Sequence, residues 1–186
     1  WHSSGRFIAF SINQTKQAFH QNDRNRIEVF DFSSDVVVYD LERDAVLTDS
    51  LLMKQTAFET FPTFSPDGKK LYFCSAEAKT LPYEFDQVKY SLCSIDFDAE
   101  SRSFGTQVDT LYNGRLKNKS VSFPRVSPDG RFLVFTLSSY GNFSIWHKDA
   151  DLMMVDLKTG QVSELEGVNS NDVESYHSWS SNGHWL

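Results

Sequence analysis

The chain has 186 residues, of which 40% are hydrophobic and 15% aromatic, which is enough for one folded domain and too apolar for a disordered chain. Its net charge of −7 argues against binding to nucleic acid, or to an anionic membrane, through bulk electrostatics. No apolar run approaches the roughly 18 residues that a membrane-spanning helix needs, so no membrane insertion is expected.

A turn motif recurs four times along the chain. Its central copies read Ser-Pro-Asp-Gly, in which Pro presets φ, Asp suits the next position and Gly takes the position with φ > 0. An aromatic or β-branched residue precedes this turn and an apolar strand follows it, so each copy predicts a tight β-hairpin. The copies cover residues 1–5, 64–68, 126–130 and 179–183, and their glycines are 63, 62 and 53 residues apart.

After each hairpin come a polar stretch, a third strand that ends in an Asp, a second turn and a fourth strand. Asp40, Asp96 and Asp156 occupy this third-strand position, and we expect them to accept backbone N–H bonds in the turn. Four short antiparallel strands in each unit are typical of a β-propeller blade. We therefore predict an all-β fold with about three blades, over residues 1–58, 59–120 and 121–173, and the start of a next blade at 174–186.

The two cysteines lie in consecutive predicted strands. The spacing between Cys74 and Cys93 is not that of a metal or redox pair. A cross-strand disulfide and two buried free thiols are both compatible with these positions.

The pattern Phe-Pro-x-Phe-Ser-Pro-Asp-Gly-Lys-x-Leu-x-Phe at residues 61–73 resembles the TolB-like β-propeller repeat, a relative of the WD repeat. The resemblance implies a bacterial periplasmic or cell-envelope propeller, commonly of about six or seven blades, that binds partners. Similar propellers also precede peptidase domains, and those of one pectin-degrading lyase family carry a metal site. The outer two copies lack the Pro-Asp pair, and His177 stands where the central copies have Pro62 and Pro124.

Three units and a fraction account for the whole chain, whereas a closed propeller has about four blades or more. We therefore expect a fragment of a longer propeller. The alternative is a homodimer in which two sets of three blades close one ring.

The predicted connections between second and third strands are long, at residues 11–35, 75–89 and 137–150, whereas a plain hairpin needs about two to five residues. In a propeller these connections gather on one face. Aromatic side chains interleaved with amides and charges suit the binding of a sugar or a peptide, although they can also pin the loops onto the blade. The candidate ligand-binding residues here are His20, Tyr140, Trp146 and His147.

Two further candidates are expected near the central channel. His177 either binds a metal or a proton-linked ligand, or is a hydrogen-bonded core histidine. Arg125 occupies the repeat position of Thr63 and Ser178, and either grips a ligand carboxylate or pairs with an acid of a neighbouring blade. The five histidines lack metal-ligand spacing, so no cofactor is predicted, with a divalent metal near His177 left open.

No nucleophile elbow, phosphate loop or paired Cys/His nucleophile is present in the sequence. The prediction is a non-catalytic scaffold that recognises a protein or glycan partner through the long connections and the channel mouth. The alternative is the propeller part of an enzyme, either the gating domain of a peptidase or a polysaccharide lyase with a channel metal near His177.

Overall fold

The fold consists of three successive antiparallel β-sheets, seen in a computed structural model that describes residues 1–19 and 27–186. Among these residues the one α-helix, α1, spans Gly114–Lys117 and is too short to cross a membrane. The strands are β1 (Phe7–Phe19), β2 (Ile27–Asp40), β3 (Ala45–Leu47), β4 (Ala57–Phe64), β5 (Lys70–Glu77), β6 (Ser91–Asp98), β7 (Ser103–Tyr112), β8 (Ser120–Val126), β9 (Phe132–Ser138), β10 (Asp151–Asp156) and β11 (Val162–Glu164).

Strands that follow one another in the chain lie side by side in each sheet. The first sheet has the order β1-β2-β3, the second β4-β5-β6-β7 and the third β8-β9-β10-β11. This up-and-down order is that of consecutive β-propeller blades. The predicted all-β fold class, a partial β-propeller, is confirmed.

Each pair of neighbouring sheets encloses a hydrophobic cluster. Because side chains alternate between the two faces of a strand, the second sheet contributes one set of residues to each cluster. The cluster between the first and second sheets includes Phe7, Val36, Val38, Leu71, Phe73 and Ile95. The cluster between the second and third sheets includes Tyr72, Cys74, Leu92, Val121, Leu133 and Phe135.

The same alternation explains the state of the two cysteines. Cys74 lies opposite Leu92 across the β5–β6 ladder, whereas Cys93 lies opposite Phe73. This offset of one residue places the two sulfurs on opposite faces of the second sheet. Both are buried free thiols, and of the two alternatives the disulfide is therefore excluded.

All four copies of the turn motif fold alike, including the outer two that lack Pro-Asp. In the central copies a serine hydroxyl donates to the turn aspartate, as Ser65 does to Asp67 over 2.6 Å. In the first copy His2 Nδ1 and Ser4 Oγ, 2.8 Å apart, make the equivalent contact. The glycine amide donates to the carbonyl three residues earlier over 2.9, 2.9, 2.8 and 2.9 Å at Gly5, Gly68, Gly130 and Gly183.

The Asp that ends the third strand caps the following turn in two of the three sheets. Asp40 and Asp156 each accept hydrogen bonds from turn amides, as predicted. The prediction for Asp96 is wrong, because the register of β6 and β7 shifts just before this turn. Asp98 caps the turn instead, and Asp96 pairs with Lys70, whose Nζ lies 2.6 Å from Oδ1.

The first connection is not the loop that the sequence predicts over residues 11–35. Instead, β1 continues to Phe19 and β2 begins at Ile27, so residues 11–19 and 27–35 form a two-stranded ribbon. A long irregular loop would leave many backbone groups unpaired, whereas the ladder pairs them. The ribbon therefore projects from the first sheet as a regular element.

Aromatic residues three positions before each of the last three turn motifs have an unusual backbone conformation. Phe61, Phe123 and Tyr176 occupy the same repeat position and have φ values of 51°, 52° and 55°. Left-handed backbone is rare for bulky residues and costs about 1–3 kcal/mol at each site. Their rings stack from sheet to sheet, with centroid distances of 4.3 Å for Phe61–Phe123 and 4.7 Å for Phe123–Tyr176, which compensates part of that cost.

Candidate functional site

Glu28, near the far end of the ribbon, joins the first sheet to the connection that follows β9. The Tyr140 hydroxyl donates to Glu28 Oε1 over 2.5 Å, and His147 Nε2 lies 3.5 Å from Glu28 Oε2. Only 4% of Glu28 and 2% of His147 are exposed. A buried carboxylate is stable only when donors surround it, so these contacts hold the ribbon in place.

Asp31 is a second buried acid on the same strand. Its Oδ2 accepts from Asn13 over 2.9 Å and from Asn142 over 2.6 Å, while its Oδ1 accepts from Thr15 over 2.5 Å. Asn13 and Thr15 come from the ribbon itself, whereas Asn142 comes from the third sheet's connection. Asp31 therefore links the two strands of the ribbon to each other and also links the ribbon to the connection after β9.

The connection after β5 completes this assembly. Phe85 packs edge-on against Tyr140 with a centroid distance of 5.5 Å, and Tyr140 packs against His147 at 4.5 Å. Lys89 donates to the Ser139 carbonyl and lies 5.9 Å from the Tyr140 ring centroid. We call residues 27–31, 85–89 and 139–147 the loop platform. The space enclosed among them is ≈ 10 Å³, about enough for one water and far too small for a ligand.

Large aromatic side chains remain exposed at this end of the molecule. Trp146 is 47% exposed, although the next residue, His147, is only 2% exposed. Tyr83, in the connection after β5, is 84% exposed, and Phe19, at the end of β1, is 73% exposed. Any partner of this face would meet these three rings rather than the buried acids.

The candidates in the predicted connections have different locations. Tyr140 and His147 are inside the platform, where they pin the loops, and Trp146 lies on its surface. His20 lies outside the described residues. Sequence reasoning missed Glu28 and Asp31, because acidic residues in a polar stretch carry no signal of burial.

Of the two channel candidates, Arg125 lies on β8, whereas His177 follows β11 in a segment without regular secondary structure. His177 Nε2 donates to the Val134 carbonyl over 3.1 Å, and burial lowers its pKa to about 4, so the ring is neutral near pH 7. The Arg125 guanidinium donates to the Pro124 carbonyl over 3.1 Å, and burial also lowers its pKa. No described acid pairs with Arg125, and residues 1–19 and 27–186 contain no group of three potential metal ligands.

The architecture thus defines a β-propeller type of protein with a hydrogen-bonded loop platform at one end. No family model matches the chain, and no curated protein matches it. The chain is similar to puromycin hydrolase, with 18% identity and a TM-score of 0.49 over 87% of this chain and 21% of that one.

Two further solved structures are similar at a comparable level. One is oligogalacturonate lyase in complex with manganese, with 11% identity and a TM-score of 0.42 over 81% of this chain and 35% of that one. The other is an apocarotenoid oxygenase mutant from Synechocystis, with 14% identity and a TM-score of 0.44 over 85% of this chain and 36% of that one. The chain therefore spans about a fifth to about a third of the length of these structures.

Proposed function

We propose that this chain is a non-catalytic recognition module that binds a protein or glycan partner on the loop platform. One observation carries the proposal: buried hydrogen bonds lock three connections into one surface, while Trp146 and Tyr83 stay exposed on it. A surface ordered before binding loses less conformational entropy when a partner arrives. Exposed aromatic rings on such a surface supply the contacts that dominate binding energy in many interfaces.

The chemistry of the platform acids favours positioning over catalysis. Glu28 and Asp31 are buried and hydrogen-bonded to neighbouring side chains. The space that they line is too small to hold a substrate. A catalytic acid or base must come within hydrogen-bond reach of its substrate. We therefore assign both acids to the support of the recognition surface.

The finer parts of this proposal rest on the repeat motif. We assign the blades to the TolB-like repeat and place the protein in the periplasm or cell envelope of a bacterium, because residues 61–73 resemble that repeat. The enzymatic alternative, a peptidase gating domain or a lyase with a channel metal near His177, stays a prediction.

The proposal is tested by measuring binding to a glycan array and to a bacterial cell-envelope extract. Trp146→Ala is expected to weaken binding at least tenfold, because it removes an exposed ring from the platform. Trp185→Ala is the matched control, since Trp185 is 75% exposed beside the turn at the opposite end of the strands, and it should leave binding unchanged. Absence of binding to either probe, or equal loss in both variants, would contradict the proposal.

A further inference from the structure

A polar notch opens on the face of the second sheet that packs against the first. Farther along this face, the apolar side chains of Phe73 and Ile95 give way to the hydroxyl groups of Ser75, Ser91 and Thr110. The notch has a volume of ≈ 390 Å³, within the range of about 300–1,000 Å³ typical of small-molecule sites. It shares Gln87 and Lys89 with the loop platform, but its lining includes none of the exposed rings of Trp146, Tyr83 and Phe19.

The charge of the notch is opposite to that of the chain. Lys54, Lys79 and Arg115 line it, and the acid among its lining residues is Glu77. Glu77 Oε2 lies 3.1 Å from Lys79 Nζ and 3.3 Å from Arg115 Nη1, so one carboxylate is shared by two cations. Lys89 also lines the notch, with its ammonium bonded to the Ser139 carbonyl. In a chain of net charge −7, this makes the notch a local site of positive potential.

Lys54 is the cation of the notch whose ammonium has no salt bridge or hydrogen bond to a described residue, although it interacts electrostatically with Glu59. Among the described residues it forms no ion pair, although the fully buried Glu59 lies nearby with one carboxylate oxygen, Oε2, that has no hydrogen-bond partner. Burial raises the pKa of Glu59 to about 7, so this carboxyl is partly protonated near neutral pH and compensates Lys54 only in part. The ammonium of Lys54 therefore has charge available for a ligand in the notch.

Neutral donors accompany the cations. The Asn113 Oδ1 atom accepts the Leu116 amide over 2.9 Å, which leaves the side-chain NH₂ group as a donor. The Ser91 hydroxyl oxygen accepts the Gly114 amide over 3.1 Å and keeps its own hydrogen to donate. Cationic and neutral donors in one concave site match the several acceptor oxygens of a tetrahedral oxyanion.

We propose that this notch binds a phosphate or sulfate ester group of a small ligand, with Lys54 as its principal cation and Lys79 and Arg115 as supporting cations. The site goes beyond the proposed recognition function and uses none of the exposed platform rings. Its ligand is held by charge-assisted hydrogen bonds, and no covalent step is involved.

The test is a titration of the whole chain, followed by ¹H–¹⁵N NMR, at constant ionic strength set with chloride. Inorganic phosphate and sulfate are expected to cause saturable shifts at the amides of Ser91, Thr110 and Asn113. Glucose 6-phosphate and glucose 6-sulfate then show which of the two esters is preferred. Lys54→Gln should weaken binding at least tenfold, whereas Lys158→Gln, which changes an exposed lysine in the β10–β11 turn, should change it less than twofold.

Absence of saturable shifts, or equal weakening by Lys54→Gln and Lys158→Gln, would overturn the proposal. Arg115→Gln serves as a second variant if Lys54→Gln does not fold, because its side chain is 74% exposed. It should weaken binding at least threefold, and unchanged binding would count against the site. Trp146→Ala should leave this affinity unchanged, so failure of the notch and failure of the recognition surface are distinguishable.

Discussion

Tyr140 donates a hydrogen bond to Glu28 over 2.5 Å, although the two residues are 112 positions apart and belong to the first and third sheets. A hydrogen bond to a charged group contributes about 1.5–3 kcal/mol, and the loss of this one removes a donor from a buried carboxylate. This contact links the first sheet directly to the connection of the third sheet, and so joins two of the three segments of the loop platform.

Removal of the Tyr140 hydroxyl should therefore destabilise the fold. Tyr140→Phe is expected to lower the free energy of unfolding by about 1.5–3 kcal/mol, measured by urea denaturation. Tyr83→Phe is the control, since Tyr83 is 84% exposed and should change stability by less than about 0.5 kcal/mol. Equal stabilities of the two variants would show that the Glu28 contact does not support the platform.

Alanine substitutions at Gly68 and Gly160 can be compared to find out whether the His2 ring is packed tightly against the turn that contains Gly68. Both glycines have φ of +73°, so an alanine at either position carries a left-handed strain of about 1–2 kcal/mol. At Gly160 an added Cβ meets nothing within 4 Å, but at Gly68 it would lie 2.1 Å from His2 Nε2. Gly68→Ala should therefore cost about 1–3 kcal/mol more than Gly160→Ala in urea denaturation.

The His2 ring cannot easily move aside to relieve that clash. It is 6% exposed and packs edge-on against Phe7, Phe64 and Phe97, with centroid distances of 5.4, 5.0 and 5.8 Å. If the two alanine variants were equally stable, the ring would have to be mobile and the packing described for this turn would be wrong.

Glu59 should make stability fall as pH rises. Its folded pKa is raised by burial to about 7 from 4.5, so the folded state binds more protons than the unfolded state between these values. The stabilisation is fully present below pH 4.5 and lost as pH rises through 7. Glu59→Gln should remove this decrease when the free energy of unfolding is measured from pH 4 to 8.

His177 has the opposite effect in an overlapping range. Its folded pKa is lowered by burial to about 4 from 6.5, so the unfolded state binds more protons and stability rises with pH across that interval. In the Glu59→Gln variant this rise should become visible, and adding His177→Gln should flatten the curve. A profile of Glu59→Gln that still falls between pH 4.5 and 7 would contradict the assignment.

The stacked rings of Phe61, Phe123 and Tyr176 should differ in their contribution to stability. Phe123 is 5% exposed and stacks on both Phe61 and Tyr176, so Phe123→Ala should cost about 3–5 kcal/mol. Tyr176 is 56% exposed and stacks on one neighbour only among these rings, so Tyr176→Ala should cost about 1 kcal/mol. Thermal denaturation can rank the two variants, and similar losses would show that stacking does not set the order.

The fold was predictable from sequence because the turn residues act locally. Pro66, Asp67 and Gly68 determine their hairpin by backbone preference alone, and apolar alternation then places the strands. The platform was only partly predictable, since Tyr140 and His147 were recognised as candidates but Glu28 was not. Its burial depends on the ribbon reaching another sheet, and no local preference encodes a contact across 112 positions.

Amide hydrogen exchange shows whether the ribbon and the connections form one rigid platform. We expect the amides of Glu28, Asp31 and His147 to exchange only on global unfolding, because these residues belong to one buried hydrogen-bonded assembly. Trp146→Ala should leave this protection intact, whereas Tyr140→Phe should reduce it. Exchange at these amides within seconds, at a rate unaffected by Tyr140→Phe, would show that the ribbon and the connections do not form one rigid platform.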